Sequence, residues 1–459
     1  MDHFHRNSLS LPSMKQVELL SPAGTLKNMR YAFAYGADAV YAGQPRYSLR
    51  VRNNDFLENN LATGIEEARR LGKKFFLATN VIPHNSKIKT FLKDMAPIIA
   101  MGPDALIMAD PGLIMMIRET WPEMPIHLSV QANTVNYAAV RFWQSAGIER
   151  IILSRELSLD EIEEIRQQCP DMELEVFVHG ALCIAYSGRC LLSGYFNHRD
   201  PNQGTCTNSC RWKYQTLPAR ENSEGVMVAA DAALSPADLS SAECGGAKRH
   251  PLADKVYFLE EENRPGELMP VMEDEHGTYI MNSKDLRAVE HVQRLVDIGI
   301  DSLKIEGRTK SYYYVARTAQ TYRQAIDDAM TGRSFRPELL GVLENLAHRG
   351  YTDGFYQRHH SHDQQNYIRG YSSSRRQQFV GEIRGYDQEN STAEVLVKNK
   401  FAVGDRLELI RPEGNRDIVV ERMEDMNGAP MQEAPGGGYE VRVPLPSTAN
   451  GHSLLARYL

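Results

Sequence analysis

The chain has 459 residues, 42% of them hydrophobic, and a formal net charge of −7. That length allows two or three domains, or one large barrel with an appendage. The negative balance argues against coating nucleic acid by bulk charge, though it leaves room for a local basic patch, and no apolar run approaches the roughly 20 residues that span a bilayer.

The first sixteen residues, MDHFHRNSLSLPSMKQ, are polar and lack the apolar centre of a signal peptide. They read as a loose tail, with Met14 an alternative start, and the expected compartment is the reducing cytoplasm. From Val17 onward short apolar runs recur, each followed by a helical stretch. They are VELL from Val17, AVYAG from Ala39, KKFFLATN from Lys73, ALIMAD from Ala105, IHLSVQ from Ile126, RIILSRE from Arg150, ELEVFVHG from Glu173 and SLKIEGR from Ser302. Continuous apolar runs suit strands buried on both faces of a parallel sheet. Between them lie the helix signals LENNLATGIEEARRLG, YAAVRFWQSAG and SLDEIEEIRQQ. In the last, Ser158 and Glu161 have the spacing of a capping box.

Eight such strands alternating with helices predict an α/β fold, a (β/α)8 TIM-like barrel over residues 17–345. A doubly wound sheet is the alternative. It would carry a glycine-rich phosphate loop after its first strand, and LLSPAGTLKN has one glycine there. The spacing breaks at a cysteine-rich insertion, residues 181–275, whose later part is rich in Ala, Ser, Glu and Gly and reads as flexible. After the eighth strand, SYYYVARTAQTYRQAIDDAM reads as a helix with Val315, Ala319, Tyr322 and Ile326 on one face. Residues 346–378 read as a connector. From Phe379 the period changes to two, in FVGEIRG, TAEVLVKN, RLELIRP, RDIVVERM and YEVRVPLP. Residues 379–459 therefore read as a small C-terminal antiparallel β-barrel domain.

The insertion opens with Cys183, Cys190, Cys206 and Cys210, spaced Cys-x6-Cys-x15-Cys-x3-Cys. In a large cytosolic protein such a cluster more often binds metal or is catalytic than forms disulfides. Four thiolates this close suit an iron–sulfur cluster or a zinc ion. Zinc ribbons favour two close pairs, and here the first pair is wide, which suits a larger ligand. The plainer reading, buried apolar thiols, fits Cys169 before Pro170 and Cys244 in the flexible segment.

Glu175-x-Phe177-x-x-Gly180-Ala181-Leu182-Cys183-x4-Gly188-x-Cys190-x-Leu192-Ser193 resembles the signature of the collagenase-like peptidase family, peptidase U-32. The likeness runs on through ELLSPAGTLKNMRYAFAYGADAVYAGQPRYSLRVRNN, HGALCIAYSGRCLLSGYFNHRDPNQGTCTNSCRW and EDEHGTYIMNSKDLRA to the branch of that family that modifies tRNA. The resemblance implies prephenate-dependent hydroxylation of wobble uridine to 5-hydroxyuridine, with tRNA and prephenate as partners. It also implies a [4Fe–4S] cluster on Cys183, Cys190, Cys206 and Cys210. A peptidase, or a non-enzymatic cluster-bearing scaffold, is the alternative. The chain has no HExxH zinc motif and no GxSxG elbow, but His179 lies near Cys183 in sequence, as a cysteine peptidase would need.

A barrel carries its reactive groups at the carboxyl ends of its strands. Those ends hold Arg155 and Glu156, then His179, then Lys304, Glu306 and Arg308. His179, Glu156 and Arg155 are the candidate catalytic residues. Lys304 and Arg308, with Arg50 and Arg52 of SLRVRNN, are the candidates for binding a dicarboxylate. Lys304, Glu306 and Arg308 read equally well as a structural ion network. His179 reads equally well as a hydrogen-bond donor behind the reacting groups, a proton carrier or a satisfied core residue. Between His348 and Gln378, Arg349, Arg358, Arg369, Arg375 and Arg376 alternate with Tyr351, Phe355, Tyr356, Tyr367 and Tyr371. That pattern suits either an RNA surface or a solvated connector whose aromatics pack on the barrel.

Overall fold

The computed structural model describes residues 16–48, 55–83, 85–182, 185–186, 189–190, 214–221, 227–229, 257–261, 268–274, 277–280, 284–348, 350–357, 377–445 and 451–459. Its first seven strands are β1 (Glu18–Pro22), β2 (Ala39–Gly43), β3 (Lys74–Thr79), β4 (Ala105–Met108), β5 (Ile126–Leu128), β6 (Arg150–Ile152) and β7 (Glu173–Ala181). The helices between them are α1 (Leu26–Ala34), α2 (Glu58–Arg70), α3 (Asn85–Ala100), α4 (Pro111–Thr120), α5 (Tyr137–Ser145) and α6 (Leu159–Gln168).

Local chemistry starts these helices. Thr25, Asp110, Asn136 and Ser158 each accept a backbone N–H in the first turn, satisfying donors that a helix leaves orphaned. Ser158 and Glu161 form the capping box that their spacing predicts. Asp110, at a strand end, is thereby a cap.

Beyond β7 come the two-residue strands β8 (Ala185–Tyr186) and β9 (Arg189–Cys190), paired antiparallel. A separate antiparallel sheet follows, from β10 (Tyr214–Glu221), β11 (Met227–Ala229), β12 (Tyr257–Glu261), β13 (Leu268–Asp274) and β14 (Gly277–Ile280). Composition alone suggests flexibility here. The ladder joins Tyr214 to Glu261, a long-range pairing that local composition does not reveal, and the sheet runs past the expected edge at 275.

The chain re-enters the barrel through β15 (Asp285–Arg287), antiparallel to β7, and α7 (Val292–Ile298). The eighth barrel strand is β16 (Ser302–Ile305). It pairs in parallel with both β7 and β1, which closes the ring. All eight strands are those read from the sequence. α8 (Tyr312–Met330) then packs outside the ring, with Val315, Ala319, Tyr322 and Ile326 fully buried. α9 (Glu338–Glu344) and β17 (Tyr351–Thr352), paired with β15, end this unit.

The last unit has ten strands among its described residues. They are β18 (Gln377–Asp387), β19 (Thr392–Val397), β20 (Phe401–Ala402), β21 (Arg406–Ile410), β22 (Arg416–Val419), β23 (Met423–Asp425), β24 (Pro430–Met431), β25 (Glu433–Ala434), β26 (Glu440–Pro444) and β27 (Leu454–Tyr458). Eight form one antiparallel half-barrel sheet, with β27 inserted between β21 and β18. Its alternating Val395, Val397, Leu407, Leu409, Val441 and Val443 are buried in a core of their own.

Candidate active site

The strand register sets which side chains point into the barrel. Glu18, Ser302 and Lys304 share one face through the β1–β16 pairing. Continuing around the ring, Tyr41, Lys74, His127, Arg150, Glu175 and Phe177 face inward too. The amino end of the barrel is therefore charged. Arg150 bonds Glu18 at 2.5 Å, Glu173 at 2.9 Å and Glu175 at 3.2 Å. Lys74 reaches Glu18 at 3.2 Å, and Lys304 Nζ lies 2.8 Å from Glu175. Burial opposes ionisation of Glu18, but Arg150 and Lys74 outweigh it and hold that carboxyl below its usual range. Burial pushes the Lys304 ammonium down, opposed by Glu175. His127, beside Arg150, is driven well below its ordinary value, chiefly by burial.

Lys304 links this network to the mouth. Its Nζ lies 4.4 Å from the centre of the Tyr41 ring and 5.4 Å from that of Phe177. Above it, the Arg155 guanidinium sits 3.8 Å over Phe177 and 3.6 Å from Glu306. Arg308 lies 3.4 Å from the Ser48 hydroxyl and 5.8 Å from the Tyr41 ring centre. The Ser154 hydroxyl lies within hydrogen-bond reach of Glu156 Oε2 and 2.9 Å from Asn133 Oδ1, the two acceptors open to its one proton. Arg155, Glu156, Lys304 and Arg308 thus come together at one end of the barrel, with Tyr41, Phe177, Ser48 and Ser154 completing the surface.

His179 lies elsewhere. A bulge shifts the register so that Lys304 pairs with Phe177 but Ile305 pairs with His179. The extra residue, Val178, turns His179 to the opposite face, against the helices. Its Nδ1 is 3.2 Å from the Tyr322 hydroxyl of α8, and it is 1% exposed. Burial, helped by Arg287, depresses its pKa to about 3, so the imidazole is neutral.

Arg50, Arg52, Cys183, Cys206 and Cys210 lie outside the described residues, as do Arg349 and residues 358–376 of the connector, including His359, His360 and His362. Cys183 follows two residues after β7 ends at the mouth. Cys190 closes the β8–β9 hairpin, its backbone paired with Ala185. The chain therefore turns back on itself between these two cysteines. The donor set, four cysteines within one insertion, has the chemistry that an iron–sulfur cluster requires.

The family model for peptidase family U32 matches residues 24–366, and that for its C-terminal domain matches residues 375–457. The chain belongs to peptidase family U32. The first U32 segment contains seven of the eight barrel strands, and the second contains the C-terminal sheet. Within related chains, it is 62% identical to the tRNA hydroxylation protein P of Escherichia coli strain K12, over 97% of this chain and 97% of that protein. It is 59% identical to the protein of the same name from Haemophilus influenzae, over 96% of each. It is 30% identical to the 23S rRNA 5-hydroxycytidine C2501 synthase of Escherichia coli, over 75% of this chain and 46% of that protein.

Sequence reasoning missed the inward carboxylate of this U32 barrel, Glu175, which holds both Arg150 and Lys304. The signal was present. Glu175 and Phe177 alternate with Val176 and Val178 in β7, so a period of two already separates their faces.

Proposed function

We propose that this chain hydroxylates tRNA, converting wobble uridine to 5-hydroxyuridine with prephenate as co-substrate. The observation that carries this reading is the 62% identity, over 97% of both chains, to a protein named for tRNA hydroxylation. The U32 name also suggests proteolysis. The base for a cysteine peptidase would be His179, and its Nδ1 is already engaged by Tyr322 inside the helix layer.

The mouth supports a dicarboxylate ligand. Arg155, Lys304 and Arg308 supply three cations around Tyr41 and Phe177, and charge-assisted bonds to carboxylates are the strong class. Glu175 holds Lys304 in place, and Glu306 restrains Arg155. Arg50 and Arg52, between β2 and α2 in sequence and outside the described residues, are assigned to the same anion from the sequence pattern alone. Glu156 orients the Ser154 hydroxyl at the rim. His179, through Tyr322, fixes the end of β7 from which the cysteines leave.

Cys183, Cys190, Cys206 and Cys210 would hold a [4Fe–4S] cluster, which when bound would supply one-electron chemistry. The test has two parts. Protein purified without air should contain iron and sulfide, and Cys183→Ser should lose both. Mass spectrometry of tRNA nucleosides should show 5-hydroxyuridine missing from a deletion strain, restored by the wild-type chain and not by Cys183→Ser. Normal hydroxyuridine in the deletion strain, in a background without a second hydroxylation pathway, would end the reading.

A further inference from the structure

A cleft of about 520 Å3 lies between the barrel and the C-terminal sheet, distinct from the mouth. Lys310 and Ser311 line it from the loop that leads into α8, Tyr313 from the first turn of α8, and Gln378, Phe379 and Arg457 from β18 and β27. Its volume is within the range of small-molecule sites, about 300–1,000 Å3. Among the described residues, none of its lining side chains is acidic.

Three features point to an anionic, partly aromatic ligand. Arg457 bonds Gln378 at 3.0 Å and approaches Asp405 at 3.5 Å, while its Nε has no hydrogen-bond partner among the described residues. Lys310 stands 5.4 Å from the centre of the Tyr314 ring. Tyr313 stacks on Phe379, centroids 4.7 Å apart and planes 15° from parallel. Tyr313 is 8% exposed, and its hydroxyl has no partner among the described residues. A buried hydroxyl left unpaired is costly. A ligand atom that accepts from it, or donates to it, removes that cost.

The cleft is mechanically joined to the mouth. Tyr314, which also lines it, donates its hydroxyl to the Glu306 carbonyl at 2.8 Å. Lys310 is two residues beyond Arg308, and its N–H bonds back to the Gly307 carbonyl. A strand held in the cleft thus lies against the same loop that carries Glu306 and Arg308.

We propose that this cleft binds a single-stranded RNA segment, its phosphodiester on Lys310 and Arg457 and an unstacked base against the Tyr313–Phe379 wall. RNA loops are recognised through splayed bases on aromatic side chains together with backbone cations. The proposal rests on the tRNA reading above and adds where the strand adjoining the target nucleotide is held.

The test measures binding of unmodified tRNA transcript to the full chain across a salt series. Lys310→Gln with Arg457→Gln should weaken binding about tenfold and flatten the slope of log Kd against log salt by about 1.4, since each single-strand phosphate left without its cation lowers the slope by about 0.7. Lys310→Gln alone, on a loop, should give about half that change in slope, which covers the case where the double variant folds poorly. Tyr313→Phe keeps the stack and should weaken binding about threefold while the melting temperature stays level or rises, because the unpaired hydroxyl is gone. Removing the same charge from exposed α3, as Lys89→Gln with Lys93→Gln, should leave binding within twofold. A wild-type chain that binds no tRNA overturns the functional reading and the cleft with it. A wild-type chain that binds, with cleft variants matching it in affinity and slope, overturns the cleft alone. Equal loss in the α3 control does the same.

Discussion

Arg317 of α8 grips Glu408 of β21 through two parallel bonds of 3.0 and 3.1 Å, joining barrel to C-terminal sheet. Arg317 is 1% exposed, and Gln377 and Asn415 each donate to the same carboxylate at 2.8 Å. With its lone pairs filled this way, the carboxylate tolerates burial. Removing the arginine strands that charge. Arg317→Met should cost about 3–5 kcal/mol in denaturant unfolding, and the double change with Glu408→Leu should recover much of it. A single variant within about 0.5 kcal/mol of wild type would show that the pair does not hold the two units together.

Gly180 has φ +103°, and a Cβ there would lie 2.4 Å from the Glu306 carbonyl oxygen. Both the left-handed backbone and the clash with main chain oppose a side chain. Gly180→Ala should destabilise by at least about 1–3 kcal/mol and displace the loop bearing Glu306 and Arg308. Thermal unfolding checks the first point. A variant as stable as wild type would mean that β7 and this loop can move apart freely.

Gly43 offers the contrast. A Cβ there would meet the ends of two side chains, 2.1 Å from an Arg308 nitrogen and 2.4 Å from the Ser48 hydroxyl oxygen. Those ends can swing away. Gly43→Ala should therefore fold nearly normally but move Arg308, raising the KM for the proposed carboxylate co-substrate about tenfold with a smaller change in kcat. An unchanged KM would remove Arg308 from the binding surface.

His179 makes stability depend on pH. Its folded-state pKa is about 3, against an ordinary 6.5, because burial disfavours the imidazolium. The unfolded chain therefore takes up the proton first as pH falls. Its contribution is complete above about pH 6.5 and is lost progressively between there and pH 3. His127 is shifted the same way, also by burial, and adds to the trend. His179→Gln should flatten the acid-side slope by up to one proton, roughly 1.4 kcal/mol per pH unit. Unfolding measured from pH 4 to 8 reads this directly, and an unaltered slope would contradict the assignment.

Much of the site's neighbourhood was readable in advance. The eight barrel strands, the capping box at Ser158 and the buried face of α8 all follow from apolar period and cap chemistry. Five strands of the last domain were equally plain, because TAEVLVKN and RLELIRP alternate cleanly. β27 was not, although LLARY runs through the middle of that sheet. Its central place depends on pairing with β18 and β21, far away in sequence.

His179 shows the same boundary at one residue. Strict alternation along β7 puts it on the face of Glu175 and Phe177, toward the mouth. One unmatched residue, Val178, reverses that. By itself the sequence determined which segments become strands and helices and which residue types gather at the strand ends, because those follow from near-neighbour period and chemistry. Only the tertiary structure decided that Lys304 meets Glu175, that Arg155 lies over Phe177 and that His179 faces Tyr322. Such contacts depend on ring closure, register and a bulge, each set by energies summed across the whole barrel.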